Sequence, residues 1–381
     1  MKKKKIGVIG ATGYTGSEIV RILSQHPGVE IALITSEARA GEKFSDVHPF
    51  FQGIVDDVLI PASKLDEPGF NDAELDLVFL ALPHGVSMDY VRRYASRDFR
   101  IVDFSGDFRL SSPEVFEQWY TKKHVFPEGF KHAVYGLPEL YADKIRNAQL
   151  VANPGCFPTG AILSLAPLVS RGLIKREGII IDSKTGVTGA GIKASATNMF
   201  SNVNDNFKAY GIKTHRHTIE IQSVLEDVGG PLSPVQFTPH LLPVDRGILT
   251  TIYARPEEIG RNRAASVSTE SSPERFSPTG SGPAGSGLTG SGKKYLDQVY
   301  HEYYGDKPFV RMCGQPPSLK DVRASNYCNI YVDYDDRTGN IIVISAIDNL
   351  VKGAAGLAVQ NMNVMFDFDE TKGLTHIPVN P

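Results

Sequence analysis

Cysteine is scarce in this chain: three residues of 381, at Cys156, Cys313 and Cys328. So small and odd a set argues against a disulfide-stapled scaffold and leads to the expectation of a reducing compartment, the cytoplasm. An excess of one charge is also lacking. Forty Lys and Arg against 43 Asp and Glu leave a net charge of -3. No strong field therefore draws the chain to nucleic acid or to an acidic membrane surface. No apolar run approaches the 18 or so residues that a membrane-spanning helix needs. The basic start, Lys2 to Lys5, has no apolar stretch behind it and reads as a solvated N-terminus, not a secretion signal. No internal repeat stands out, and no metal is expected.

What is present is an ordinary globular composition, 41% hydrophobic and 22% charged, in a chain long enough for two domains. Up to about residue 150, strand-like and helix-like runs alternate. Lys5–Ile9, Val29–Thr35, Leu75–Leu82 and Arg100–Phe104 are strand candidates, and Tyr14–Gln25 carries Ile19, Val20 and Leu23 at helical spacing. Alternation of this kind predicts a parallel, doubly wound sheet of Rossmann type. Past Asn153 the character changes. A helix is expected after Cys156, then closely spaced strands at Gly178–Ser183, Val235–Leu242, Leu249–Ala254, Cys328–Tyr334 and Ile341–Ile347. These predict a second, α+β domain with a mixed sheet. The reading is a nucleotide domain over 1–155, completed by a C-terminal helix in about 349–381, and a catalytic and dimerisation domain over 156–348. Residues 261–292, rich in Ser, Pro and Gly, read as a disordered insert.

Three motifs carry chemistry. Gly10-Ala-Thr12-Gly13-Tyr14-Thr15-Gly16 lies between the first strand and the first helix. There glycines admit a pyrophosphate and the helix start offers free amides. The second strand ends in Thr35-Ser36 with Arg39 close behind. A hydroxyl and a guanidinium at that place favour NADP(H), because they can hold a 2′-phosphate. Glu37 opposes that reading if it points inward. In Asn153-Pro-Gly-Cys156-Phe-Pro-Thr159 the cysteine precedes a helix, a position that lowers a thiol pKa. Cys156 is thus the expected nucleophile, and Cys313 and Cys328 are expected to be structural. His215-Arg216-His217 puts an imidazole for proton transfer beside a guanidinium for an oxyanion. Ser183-Lys184-Thr-Gly186-Val-Thr-Gly-Ala-Gly191 is a second glycine loop able to hold an anion, and Asn349 can reach a nicotinamide amide.

Together these motifs resemble the N-acetyl-γ-glutamyl-phosphate reductase family of arginine biosynthesis. Further matching pieces, in the family's order, are Leu82-Pro83-His-Gly85, Asp103–Arg109, Tyr135–Glu139, Pro308–Val310, Ser325-Asn326 and Asp348–Gly356. The resemblance implies reduction of N-acetyl-L-glutamyl 5-phosphate to the semialdehyde through a Cys156 thioester, with His217 as acid/base. It implies cofactor contacts from Gly10, Thr12, Gly13, Tyr14, Thr15, Gly16, Ser36, Arg39, Pro83, Gly186 and Asn349. It implies substrate contacts from Arg109, Ser183, Lys184, His215 and Arg216, and a homo-oligomer, dimer or tetramer. Phe157, Thr218-Ile219 and Phe366 depart from the family's pattern, and the second departure leaves Glu220 without an assigned role. The competing readings are a related acyl-phosphate reductase, of the aspartate-semialdehyde or carrier-linked aminoadipate type, and a non-catalytic NADP sensor.

Overall fold

The computed structural model describes residues 2–67, 75–257 and 289–380. Its first sheet has six parallel strands: β1 (Lys4–Ile9), β2 (Val29–Thr35), β3 (Leu77–Leu80), β4 (Arg100–Asp103), β5 (Ala133–Tyr135) and β6 (Leu150–Ala152). They lie in the order β2-β1-β3-β4-β6-β5. Strand order reverses around β1 and β3, which is where a doubly wound sheet opens its crevice. Both faces are covered, so β3 is buried at every residue. On one face Ile6, Val8, Ile19 and Leu23 pack with Val359 and Met362 of the Gly356–Met365 helix. The C-terminal helix thus returns to the first core, where each such aliphatic side chain contributes roughly 1.5–3 kcal/mol. On the other face Val78, Leu80, Met88, Val91 and Phe116 form a separate cluster.

The second sheet has seven strands: β7 (Ile180–Thr185), β8 (Lys208–Ala209), β9 (Gln236–Leu241), β10 (Ile248–Ala254), β11 (Val310–Met312), β12 (Cys328–Asp335) and β13 (Asn340–Ile347). Their order is β11-β12-β13-β10-β7-β9-β8. The pairs β7/β9 and β11/β12 are parallel and the rest antiparallel, a mixed sheet. Helices Cys156–Ser170, His217–Gly229 and Thr289–Tyr304 cover one face through Ile162, Leu165, Ile221, Leu225, Val299 and Tyr300. On the opposite face, which no described element covers, strand alternation leaves Ile180 and Tyr253 exposed.

Most of the insert reading at 261–292 falls outside the described residues. Its last four residues do not: 289–292 begin the Thr289–Tyr304 helix. The two halves are also joined by charge. Arg246, just before β10, reaches back to Glu18 of the Tyr14–Ser24 helix at 2.7 Å and to Asp348 at 3.5 Å. Among the described residues no helix is long and apolar enough to cross a membrane.

Candidate active site

A cleft of about 480 Å³ runs between the two sheets' domains. Its first wall is the glycine loop. Gly10 has φ +84°, and a Cβ at Gly16 would stand 2.3 Å from the Gly10 carbonyl oxygen. Only glycine lets this helix begin so close to β1. Above Gly13 the space is open, and Gly13, as the helix N-cap, puts no side chain over the first amides. This cradle suits a pyrophosphate. Gly13, Tyr14, Thr15, Gly16 and Pro83 line the cleft. Gly10 and Thr12 sit behind them. Thr12 Oγ1 is 3.0 Å from Ser36 Oγ, which puts Ser36 at the end of the same loop. Glu37 turns away, its carboxylate accepting the Ala62 amide at 2.8 Å. Arg39 is exposed and pairs with Glu42.

The opposite wall carries Cys156 at the first residue of its helix. Its setting differs from the one expected of a helix start. Burial pushes the thiol up to about 11. The Arg109 charge and the amides of Phe157 and Cys156 pull it only part of the way back. Desolvation outweighs the helix terminus here. His217 opens the neighbouring helix and lies so close to the cysteine loop that a Cβ at Gly155 would be 2.3 Å from its Nε2. Burial, then the positive charge of its neighbours, holds His217 well below its usual range, so the imidazole is neutral. Its Nδ1 is buried and has no hydrogen-bond partner among the described residues. His215 accepts the His217 amide on Nδ1 at 3.2 Å and is held down to about 4, by burial first and by Arg216 second.

Glu220, left unassigned by the sequence, turns out to organise this wall. It is buried, three residues along the helix from His217. Its Oε1 accepts the Gly155 amide at 2.8 Å and the Tyr135 hydroxyl at 2.9 Å. Its Oε2 accepts from Arg109 Nη1 at 3.2 Å. Arg109 in turn donates to the carbonyls of Asn153 (2.7 Å) and Phe104 (2.6 Å). One buried carboxylate therefore fixes both the loop before Cys156 and the guanidinium beside it. The shared helix face, three residues from His217, was the signal that sequence reasoning passed over.

Several expected contacts are not brought to the cleft. Ser183 is fully buried in β7, its hydroxyl 2.9 Å from that of Thr250. Lys184 points to the uncovered sheet face and pairs with Asp182 at 2.8 Å. Gly186 lies behind the wall, its amide donating to the Gly247 carbonyl. The residues of that loop that do line the cleft are Thr188–Lys193. Asn349 is a lining residue, but both ends of its amide are already held, by Gly247 N (2.8 Å) and Thr188 Oγ1 (2.9 Å). His84 and Tyr120, not singled out beforehand, line the cleft with Arg109, His215, Arg216 and His217. Among the described residues no carboxylate side chain lines it, whereas Arg109, Arg216 and Lys193 do.

The chain matches two family models in tandem. One is described as the semialdehyde dehydrogenase NAD binding domain, over residues 5–148. The other is the semialdehyde dehydrogenase dimerisation domain, over 156–271 and 285–349. A protein of Geobacter metallireducens named N-acetyl-gamma-glutamyl-phosphate reductase is 45% identical over 380 residues, covering 99% of both chains. A protein of the same name from Desulforudis audaxviator is 44% identical over 372 residues, covering 97% of both.

The chain belongs to the N-acetyl-γ-glutamyl-phosphate reductase family.

Solved structures of more distant proteins share the fold. Aspartate semialdehyde dehydrogenase II of Vibrio cholerae superposes with a TM-score of 0.66 at 14% identity, covering 96% of this chain and 99% of that one. The Candida albicans aspartate semialdehyde dehydrogenase with NADP gives 0.63 at 18%, with the same coverage. The cleft between the two matched domains is lined by both Cys156 and His217.

Proposed function

We propose that this reductase converts N-acetyl-L-glutamyl 5-phosphate to N-acetyl-L-glutamate 5-semialdehyde and phosphate, using NADPH. The observation that carries the reading is the meeting of Cys156, a neutral His217 and a cleft that, among the described residues, is lined by cationic side chains and no carboxylate, opposite the glycine cradle. Cys156 gives its thiol proton to the His217 imidazole as its sulfur attacks the acyl carbon. The carbon–sulfur bond forms, the carbon–oxygen bond to phosphate breaks, and phosphate departs into the positive end of the cleft. Gly13–Gly16 and Ser36 would hold a nicotinamide cofactor, which when bound would supply the hydride for reduction of the thioester. The His217 imidazolium then gives its proton to the oxygen of the resulting thiohemiacetal; as neutral imidazole it takes that proton back and passes it to sulfur as the carbon–sulfur bond breaks, leaving the aldehyde and the Cys156 thiol.

The domain reading that goes with this is 1–155 for cofactor and 156–348 for catalysis, with the C-terminal helix rejoining the first. The uncovered face of the second sheet, with Ile180 and Tyr253 exposed, supports assembly with further copies of the chain as a dimer or tetramer. A free thiol nucleophile suits the reducing cytoplasm. The test is phosphate-dependent reduction of NADP+ with N-acetylglutamate semialdehyde and, separately, aspartate semialdehyde. The account expects turnover with the first and little with the second. Preference for aspartate semialdehyde would place the chain with the aspartyl enzymes, and no turnover with either would make it a sensor.

A further inference from the structure

His84 stands in the loop after β3, at the mouth of the cleft. Its Nδ1 accepts the Gly106 amide at 2.7 Å. An imidazole nitrogen that accepts carries no proton, so the neutral ring bears its hydrogen on Nε2. Nε2 has no partner among the described residues and is not shut inside the protein. The ring is held edge-on against Tyr120, with centroids 5.3 Å apart. The guanidinium of Arg216 lies over the other part of this arrangement, 5.0 Å from the Tyr120 ring centre. Arg216 makes no ion pair or hydrogen bond with any described residue through its side chain. Burial and the charges of Arg109 and Arg216 hold His84 down to about 3, so it does not gain a second proton near neutral pH.

A fixed N–H donor and a guanidinium with no ion pair among the described residues share one aromatic support, and no described carboxylate side chain lines the cleft. That combination recognises a phosphoryl group and disfavours nothing about its charge. Arg109 is less free to do so alone, since three of its N–H groups are spent on Glu220, Asn153 and Phe104. We propose that His84 donates its Nε2–H to the phosphate of the acyl phosphate and, with Arg216, forms the subsite from which inorganic phosphate leaves and to which it binds in the reverse direction. The tautomer is set in advance by Gly106, so no rearrangement accompanies binding. The inference rests on the reductase reading for the source of the phosphate. The cofactor's own phosphates are the other source with the same chemistry.

The experiment uses the full-length enzyme and inorganic phosphate. Protection of Cys156 against iodoacetamide is followed by mass spectrometry of its peptide at rising phosphate, and the KM values for phosphate and NADP+ are measured in the reverse reaction. In His84→Phe, which keeps a ring but has no N–H, the half-protecting phosphate concentration and the phosphate KM should rise about 10–100-fold, the loss of one charge-assisted hydrogen bond. NADP+ KM should stay within about two-fold. His84→Gln, with an amide that can accept from Gly106 and still donate, should recover most of the loss. If the phenylalanine variant does not fold, His84→Asn takes its place, keeping an acceptor but too short to donate into the cleft. Unchanged phosphate protection in these variants overturns the proposal, and so does a matching loss of NADP+ affinity, which would give His84 to the cofactor. Protection lost on substitution supports it even if wild-type turnover with N-acetylglutamate semialdehyde is absent, a result that would sink the reductase reading instead.

Discussion

Glu220 accepts the backbone N–H of Gly155 at 2.8 Å, and so ties the helix that begins with His217 to the residue before Cys156. Cys156 and the His217 imidazole lie on different elements, and this bond, with Arg109 on the other carboxylate oxygen, ties the two elements together. A buried ion pair adds little to stability against an apolar alternative, but breaking one side of it costs about 3–5 kcal/mol.

The first prediction follows from that bond. Glu220→Gln keeps the shape and loses the charge that holds Arg109. Turnover should fall about 10²-fold or more, with NADPH affinity kept, because misplacement by a fraction of an ångström is costly at a reacting centre. Thermal unfolding and NADPH titration check it. A variant that melts earlier yet turns over at the wild-type rate would reduce Glu220 to a structural residue.

Cys156, half-buried where it lines the cleft, should react as a desolvated thiol. Alkylation of the free enzyme by iodoacetamide, followed against pH, should show an inflection above the ordinary thiol value and near 11. Arg109→Met should move it higher still, since the Arg109 charge is what pulls the thiol down. An inflection below pH 8 would mean that the helix start, not burial, governs the sulfur.

Cofactor choice is the third. Arg39 is exposed and held only by Glu42, which leaves it free to swing to a 2′-phosphate beside Ser36. Arg39→Asp should raise the KM for NADPH about 10–100-fold and change that for NADH little, through loss of a charged partner and added repulsion. Equal losses for both cofactors would remove Arg39 from the site.

The fourth concerns pH. His215 is held at about 4 in the folded protein against an ordinary 6.5. The unfolded chain therefore binds this proton more readily. Stability from this group is full above pH 6.5 and declines as pH falls towards 4, by about 1.4 kcal/mol per unit. His215→Gln should flatten the loss of stability between pH 6.5 and 4.5 by about one proton relative to wild type, read from denaturant unfolding at each pH. Parallel curves would contradict the burial argument.

Much of this was legible in the residues. Alternating strand and helix runs gave the parallel sheet, and Gly10–Gly16 and Cys156 fell where glycine spacing and a helix start placed them. Three-residue strands such as β5, β6 and β11 were too short to leave a pattern. The helix start that lowers the Cys156 thiol is visible in the residues; the desolvation that raises it is not, because it comes from elements distant in sequence. Ser183 and Lys184 looked like an anion loop because their neighbours are glycines. Strand alternation in β7 instead sends one into the core and the other to the open face. His84 and Glu220 act through contacts 22 and 65 residues away, to Gly106 and Gly155, which no local spacing reveals.

The central claim is that the acyl group passes through sulfur on Cys156, and the most direct measurement is to catch it there. Enzyme mixed with N-acetylglutamyl phosphate without NADPH, quenched in acid and digested, should yield the Cys156 peptide carrying one N-acetylglutamyl group, and NADPH added before the quench should discharge it. Cys156→Ser should carry no such group and lose nearly all turnover while still binding NADPH. An unmodified Cys156 peptide together with full activity in Cys156→Ser would contradict the account.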